Sequence, residues 1–142
     1  MKKKVIISAC LIGVNCKYSG GNNKLPDEKL DLLLEKYELI PVCPESDGGL
    51  PTPRTPSERM GDKVMSRDGR DVTAEFKKGA EHALRLAKEH GAELAILKED
   101  SPSCGSGIIY DGTFTGTLVP GFGVTAELLK DNGITIIGES QI

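Results

Sequence analysis

The sequence predicts an α/β domain: a small three-layer fold with a mostly parallel four-stranded sheet, helices on both faces and short hairpin insertions at the carboxyl rim. Three observations carry that expectation. Four short apolar runs of strand character alternate with three segments of helical periodicity, the pattern of repeated βα units. Apolar residues make up 38% of the 142 and aromatics only 4%, with no Trp, so the core must be aliphatic, which suits strands buried on both faces. The long Gly- and Pro-rich insertions follow strands rather than helices, so a parallel sheet would gather them at one rim.

The first strand, about residues 4–9, contains Val5-Ile6-Ile7-Ser8-Ala9 and runs into Cys10 and a polar loop with Gly13, Asn15, Gly20-Gly21 and Asn22-Asn23. A helix starts after Pro26-Asp27, with Leu30, Leu33, Leu34 and Tyr37 at helical spacing. The second strand, about 38–43, ends at Cys43-Pro44. From Glu45 to Arg59 the glycines and prolines leave no room for a regular element, and long loops of this kind in compact domains usually carry function. Asp68-Gly69 predicts a small hairpin between Lys63-Val64-Met65 and Asp71-Val72.

The strongest helix follows at about 72–90, where Val72, Phe76, Ala80, Ala83, Leu84 and Ala87 form one stripe and Gly91 supplies the stop. A third strand, about 93–98, leads to Cys104 and then to a hairpin expected around Asp111-Gly112, with Ile108-Ile109-Tyr110 and Thr113-Phe114-Thr115 as its arms. The last helix, about 123–131, ends at Asn132-Gly133 before strand Ile134-Thr135-Ile136-Ile137. Right-handed crossovers complete a Rossmann-like arrangement expected to span residues 1–142 as a single domain.

Eighteen Lys and Arg against twenty-one Asp and Glu give a net charge of −3, with no basic tract beyond Lys2-Lys3-Lys4, so nucleic-acid binding has no electrostatic support. The apolar run after those lysines is too short for a signal sequence or a membrane span, and a cytoplasmic location is expected. In a reducing compartment four cysteines read as metal ligands or reactive thiols rather than disulfide partners. The C-x-x-C knuckle of zinc ribbons and redox motifs is absent. A metal site here has to be assembled by the tertiary fold.

Cys10, Cys43 and Cys104 each stand just past a predicted strand, so adjacent strand tips would bring the three thiols together. A single cysteine is ordinarily core packing, but Cys43 beside Pro44 and Glu45, and Cys104 between Ser103 and Gly105, do not sit in core-like sequence. Three thiolates suit either an iron–sulfur cluster bound through three irons or a catalytic zinc with one open position, and spacing alone leaves the two even. Cys16 is the odd member: a fourth ligand, a resolving thiol or buried filler.

Glu45 lies two residues past Cys43, where a carboxylate can move protons, and Ser101 lies three before Cys104, where a hydroxyl can orient water or substrate. Their ordinary roles would be a solvated loop carboxylate and a turn residue before Pro102. Gly48, Gly49 and Gly105 mark places where backbone either approaches a ligand or simply turns. Arg54 and Arg59 are candidates for an anionic or carbonyl-bearing substrate, against the ordinary reading of solvated loop arginines. His82 and His90, on the long helix, read as structural.

The phrases Ser8-Ala9-Cys10-Leu11-Ile12-Gly13, Pro41-Val42-Cys43-Pro44-Glu45 with Gly48-Gly49-Leu50-Pro51-Thr52-Pro53-Arg54, and Ser101-Pro102-Ser103-Cys104-Gly105 resemble a bacterial family that includes the 2-thiouracil desulfurases. The resemblance extends to Asp71-Val72-Thr73 with Phe76 and Gly79-Ala80, to Tyr110-Asp111-Gly112 and to Gly133-Ile134. It implies a 4Fe-4S cluster on Cys10, Cys43 and Cys104 with one iron lacking a protein ligand, and a catalytic carboxylate and hydroxyl at Glu45 and Ser101. It thereby favours the cluster over zinc. The expected activity is non-redox desulfuration of a small thiolated nucleobase such as 2-thiouracil, whose sulfur binds the open iron and leaves as hydrosulfide. A zinc hydrolase using the same thiolates and an iron–sulfur or sulfur carrier are the rival classes.

Overall fold

A computed structural model describes residues 2–142. The elements in chain order are β1 (Lys3–Ser8), α1 (Asp27–Lys36), β2 (Tyr37–Val42), α2 (Pro44–Asp47), β3 (Ser57–Met60), β4 (Lys63–Ser66), α3 (Thr73–His90), β5 (Leu94–Leu97), β6 (Ser106–Tyr110), β7 (Leu118–Phe122), α4 (Val124–Asp131) and β8 (Thr135–Gly138). Strands β2, β1, β5 and β8 form, in that order, the four-stranded sheet, and every pairing in it is parallel. The sequence-derived α/β architecture is therefore the observed one.

Alternation along the strands explains the three layers. Val5, Ile7 and Ile96 face Leu33 of α1 on one side of the sheet, with Leu11 and Leu25 from the loop after β1. On the other, Ile6, Val42, Ala95 and Leu97 pack on Ala83 and Ala87 of α3 and Ala126 and Leu129 of α4. The small alanines let α3 lie close to the sheet, and Gly91 ends it in a left-handed conformation at φ 65°. No helix among the described residues is long and apolar enough to cross a membrane.

Both hairpins differ from the sequence reading in their arms. β3 begins inside the stretch expected to be irregular and pairs with β4 across Gly61-Asp62, while the Asp68-Gly69 turn closes only an isolated bridge between Met65 and Asp71. Ser57-Glu58-Arg59 has little strand propensity of its own and is held from outside: Glu58 Oε1 accepts from the Gly112 and Phe114 amides, and Arg59 donates to the Phe122 carbonyl. The second hairpin pairs β6 with Leu118–Phe122, not with Thr113–Thr115. Pro120 and Gly121 mask that strand in the sequence, yet β7 is the edge of a two-stranded ribbon, where a missing amide is tolerated.

Candidate active site

The insertions after β1, β2 and β5 converge at the carboxyl end of the sheet around a cavity of about 490 Å³. Cys10, Cys16, Cys43 and Cys104 all line it, with Glu45, Arg54, Lys98 and Ser101 among its polar groups. Each of the three strand-tip cysteines is held by local backbone chemistry. Cys10 sits in a single 3₁₀ turn, Ala9–Ile12, closed by Gly13 at φ 96°, and its carbonyl accepts from the Asn23 amide at 3.0 Å. The Cys43 amide donates to Asp47 Oδ2 at 3.1 Å, and its thiol is within reach of the Cys16 carbonyl at 3.7 Å and Ser46 Oγ at 3.4 Å. Cys104 is buried in the loop after β5, its amide donating to Ser101 Oγ at 3.0 Å.

The thiols sense one another. Burial pushes Cys104 up to about 12, with the charges of Cys10, Glu45 and Cys43 acting in the same direction and a hydrogen bond with Ser8 opposing them. Burial raises Cys10 as well, against a hydrogen bond from Asn23 and with the Cys43 charge adding to the rise. Cys16 is also pushed up to about 12, first by burial and then by its neighbour Cys43.

No three His, Cys, Asp or Glu side chains among the described residues close around a point as one metal ion requires. Three thiols carried by separate loops and lining one cavity are the soft-donor chemistry that an iron–sulfur cluster takes.

Glu45, in the first turn of α2, has burial raising its carboxyl above the usual carboxylate range, opposed by the Arg54 guanidinium, whose Nε donates to Oε1 at 3.2 Å. Glu45 Oε2 makes no hydrogen bond among the described residues, and the residue lines the cavity. Ser101 Oγ accepts from the Ser103 amide at 3.1 Å and from Cys104. With both lone pairs engaged, its remaining capacity is to donate.

Gly48 and Gly49, the glycines at which a close approach of backbone to a ligand was one of two readings, are not among the residues lining this cavity. Gly48 is buried against α3, where a Cβ would run into the Glu75 carbonyl, and Gly49, at φ 104°, turns the chain in solvent with nothing nearby. Arg59 is not among the residues lining the cavity and clamps β3 to Phe122 and Glu127. His82 reaches Asp47 at 3.8 Å, one contact from Cys43, while His90 stays near Lys4.

Sequence reasoning missed the support under Cys104. Ser103 Oγ and Thr125 Oγ1 form a fully buried hydrogen bond of 2.8 Å, and the Ser103 carbonyl accepts from the Thr125 and Ala126 amides in the first turn of α4. Gly123 lets the chain pass so close to Ser103 that no Cβ would fit. The one signal available in the sequence was a glycine directly before a helix start.

Fold and site together define an α/β protein that gathers thiols and a carboxylate at the carboxyl tips of a parallel sheet, the position of ligand sites in such folds. The chain belongs to the 2-thiouracil desulfurase family, whose model matches residues 5–141. It is 41% identical over 148 aligned residues to the uncharacterized protein YbbK of Bacillus subtilis (strain 168), with 97% of each chain covered. A solved structure titled as the 4Fe-4S-dependent thiouracil desulfidase TudS superposes with a TM-score of 0.95 at 48% identity, covering 99% of this chain and 93% of that one.

Proposed function

We propose that this protein is a desulfidase that replaces the sulfur of a thiolated pyrimidine such as 2-thiouracil by oxygen, with water as co-reactant and hydrosulfide as leaving group. The observation that carries the reading is the meeting of Cys10, Cys43 and Cys104 with Glu45 around one cavity. Family membership and the 4Fe-4S-dependent structural relative support the same chemistry. Cys10, Cys43 and Cys104 would hold the cluster; when bound, it supplies a Lewis-acidic iron without a protein ligand, soft enough to favour sulfur and to polarise a carbon–sulfur bond.

The chain's own residues do the rest. Glu45 lines the cavity, and its Oε2 takes a proton from the water that attacks the thiocarbonyl carbon. Its environment suits a group that both accepts and returns a proton, since burial lifts its affinity for one and Arg54 limits the lift. The Ser101 hydroxyl donates to an oxygen or ring acceptor of the substrate. Tyr18, Tyr110 and Phe114 line the same cavity and offer flat apolar faces to a planar heterocycle. Carbon–oxygen bond formation and carbon–sulfur cleavage balance with one water consumed and no net electron transfer.

Anaerobic reconstitution with iron and sulfide, followed by absorbance spectroscopy and assay of uracil and sulfide released from 2-thiouracil, tests this function. Cys10→Ala, Cys43→Ala and Cys104→Ala should each lose both colour and turnover, whereas Glu45→Ala should keep the colour and lose the turnover. A wild-type chain that takes up the cluster and releases no sulfide would refute the reading.

A further inference from the structure

We propose that Arg54 is the positioning residue of the active carboxylate, holding Glu45 by one oxygen so that the other faces the reacting atoms. The proposal rests on the reading of Glu45 as the proton-moving group.

The Arg54 side chain is only 5% exposed, far from the solvated loop arginine of the ordinary reading. Its guanidinium is spent on four acceptors from three parts of the chain. Nε donates to Glu45 Oε1 at 3.2 Å, Nη1 to the Pro51 carbonyl at 3.2 Å and to Thr52 Oγ1 at 2.9 Å, and Nη2 to the Cys16 carbonyl at 2.9 Å. The Arg54 amide adds a bond to the Tyr18 carbonyl at 2.7 Å. The planar fork thus ties the loop after β1, the loop after α2 and Glu45 itself into one wall of the cavity.

Two consequences follow from that geometry. With Oε1 engaged, the carboxylate cannot swing freely about its terminal torsion, and Oε2 is the oxygen left to the cavity. A lysine could supply the charge but not the directed bonds, because an ammonium has three donors on a flexible stem where Arg54 has a rigid five-donor plane. Arg54 therefore acts through the placement of Glu45, and substrate contact is not its task although it borders the cavity.

The test compares Arg54→Gln, Arg54→Lys and Glu45→Gln in reconstituted protein, reading kcat, KM for 2-thiouracil and iron bound per chain. Arg54→Gln should lower kcat roughly 10- to 100-fold, the cost of losing a group that orients a functional side chain, with KM and iron content unchanged. Arg54→Lys should fall nearly as far, and it carries the test if the Gln variant does not fold. A raised KM at unchanged kcat would make Arg54 a substrate ligand, loss of iron would make it a support of the metal loops, and wild-type kcat in Arg54→Lys would show that charge alone suffices. Each of these overturns the proposal. Wild-type kcat in Glu45→Gln would remove the reading of Glu45 and this inference with it, whereas an inactive Glu45→Gln beside a fully active Arg54→Gln would remove this inference alone.

Discussion

Gly79 of α3 lies directly under the Pro44 carbonyl of α2, so close that a Cβ at position 79 would come to 2.5 Å from the carbonyl carbon. Gly48, directly after α2, answers it, packed on the Glu75 carbonyl. The short helix that carries Glu45 is thus seated on α3 backbone to backbone, and it starts immediately after Cys43. Gly79→Ala would gain helix propensity at an interior position but force the two helices apart. The overpacking should win, lowering stability by about 1–3 kcal/mol in urea unfolding. Turnover should fall further than stability predicts, because the displaced segment is the one holding Cys43 and Glu45.

The arrangement of thiols was legible because it follows from strand order alone. Apolar runs ending at Cys10, Cys43 and just before Cys104 need only a parallel sheet to meet, and that sheet is what the alternation of β and α segments specifies. Glu45 and Ser101 came with them as sequence neighbours. The packing of Gly48 was not legible because a glycine marks a turn, a ligand approach or a helix contact with the same letter, and its partner is a carbonyl on a distant helix. The Ser103–Thr125 bond, the Arg54 fork and the true arms of both hairpins were hidden for one reason: each is a long-range pairing whose local sequence signal is weak or contrary.

Cys16 illustrates a role carried by backbone rather than side chain. Its carbonyl receives Arg54 Nη2 and lies beside the Cys43 thiol, so the residue matters as a fixed acceptor. Cys16→Ala should therefore keep iron uptake and turnover near wild type, with a stability loss of about 1 kcal/mol for the buried sulfur. Loss of bound iron in this variant, measured by absorbance after reconstitution, would make the thiol a ligand.

Acid should destabilise the metal-free chain through a small set of exposed carboxylates. Asp27 is held below 3.8 by its hydrogen bond with Lys24, Asp68 by Ser66, Asp71 by Thr73 and Asp111 by Thr113. A depressed carboxylate means that the unfolded chain binds protons first as pH falls. Their stabilisation is present above about 3.8 and is lost on acidification through the lower native values. Glu45 has the opposite sign: its native value is raised above 4.5, so its contribution declines as pH rises through that range. Urea midpoints measured from neutral pH downward should fall once the aspartates protonate, and Asp111→Asn should flatten the drop. An unchanged slope in that variant would remove Asp111 from the set.

The proposed function gives Ser101 a second task beside its loop bonds, and substitution can split the two. Its Oγ accepts the Ser103 and Cys104 amides, which shapes the loop that presents the Cys104 thiol, and its hydroxyl hydrogen is left for the cavity. Ser101→Ala removes both, and should cost about 1–2 kcal/mol of stability together with turnover. Ser101→Asp retains an acceptor of similar reach for the two amides and has no hydrogen to donate once ionised. That variant should unfold at nearly the wild-type urea midpoint and still turn over 2-thiouracil far more slowly. Comparable turnover in Ser101→Asp and wild type would assign Ser101 to the loop alone, leaving Glu45 as the one side chain of the pair that handles the reaction.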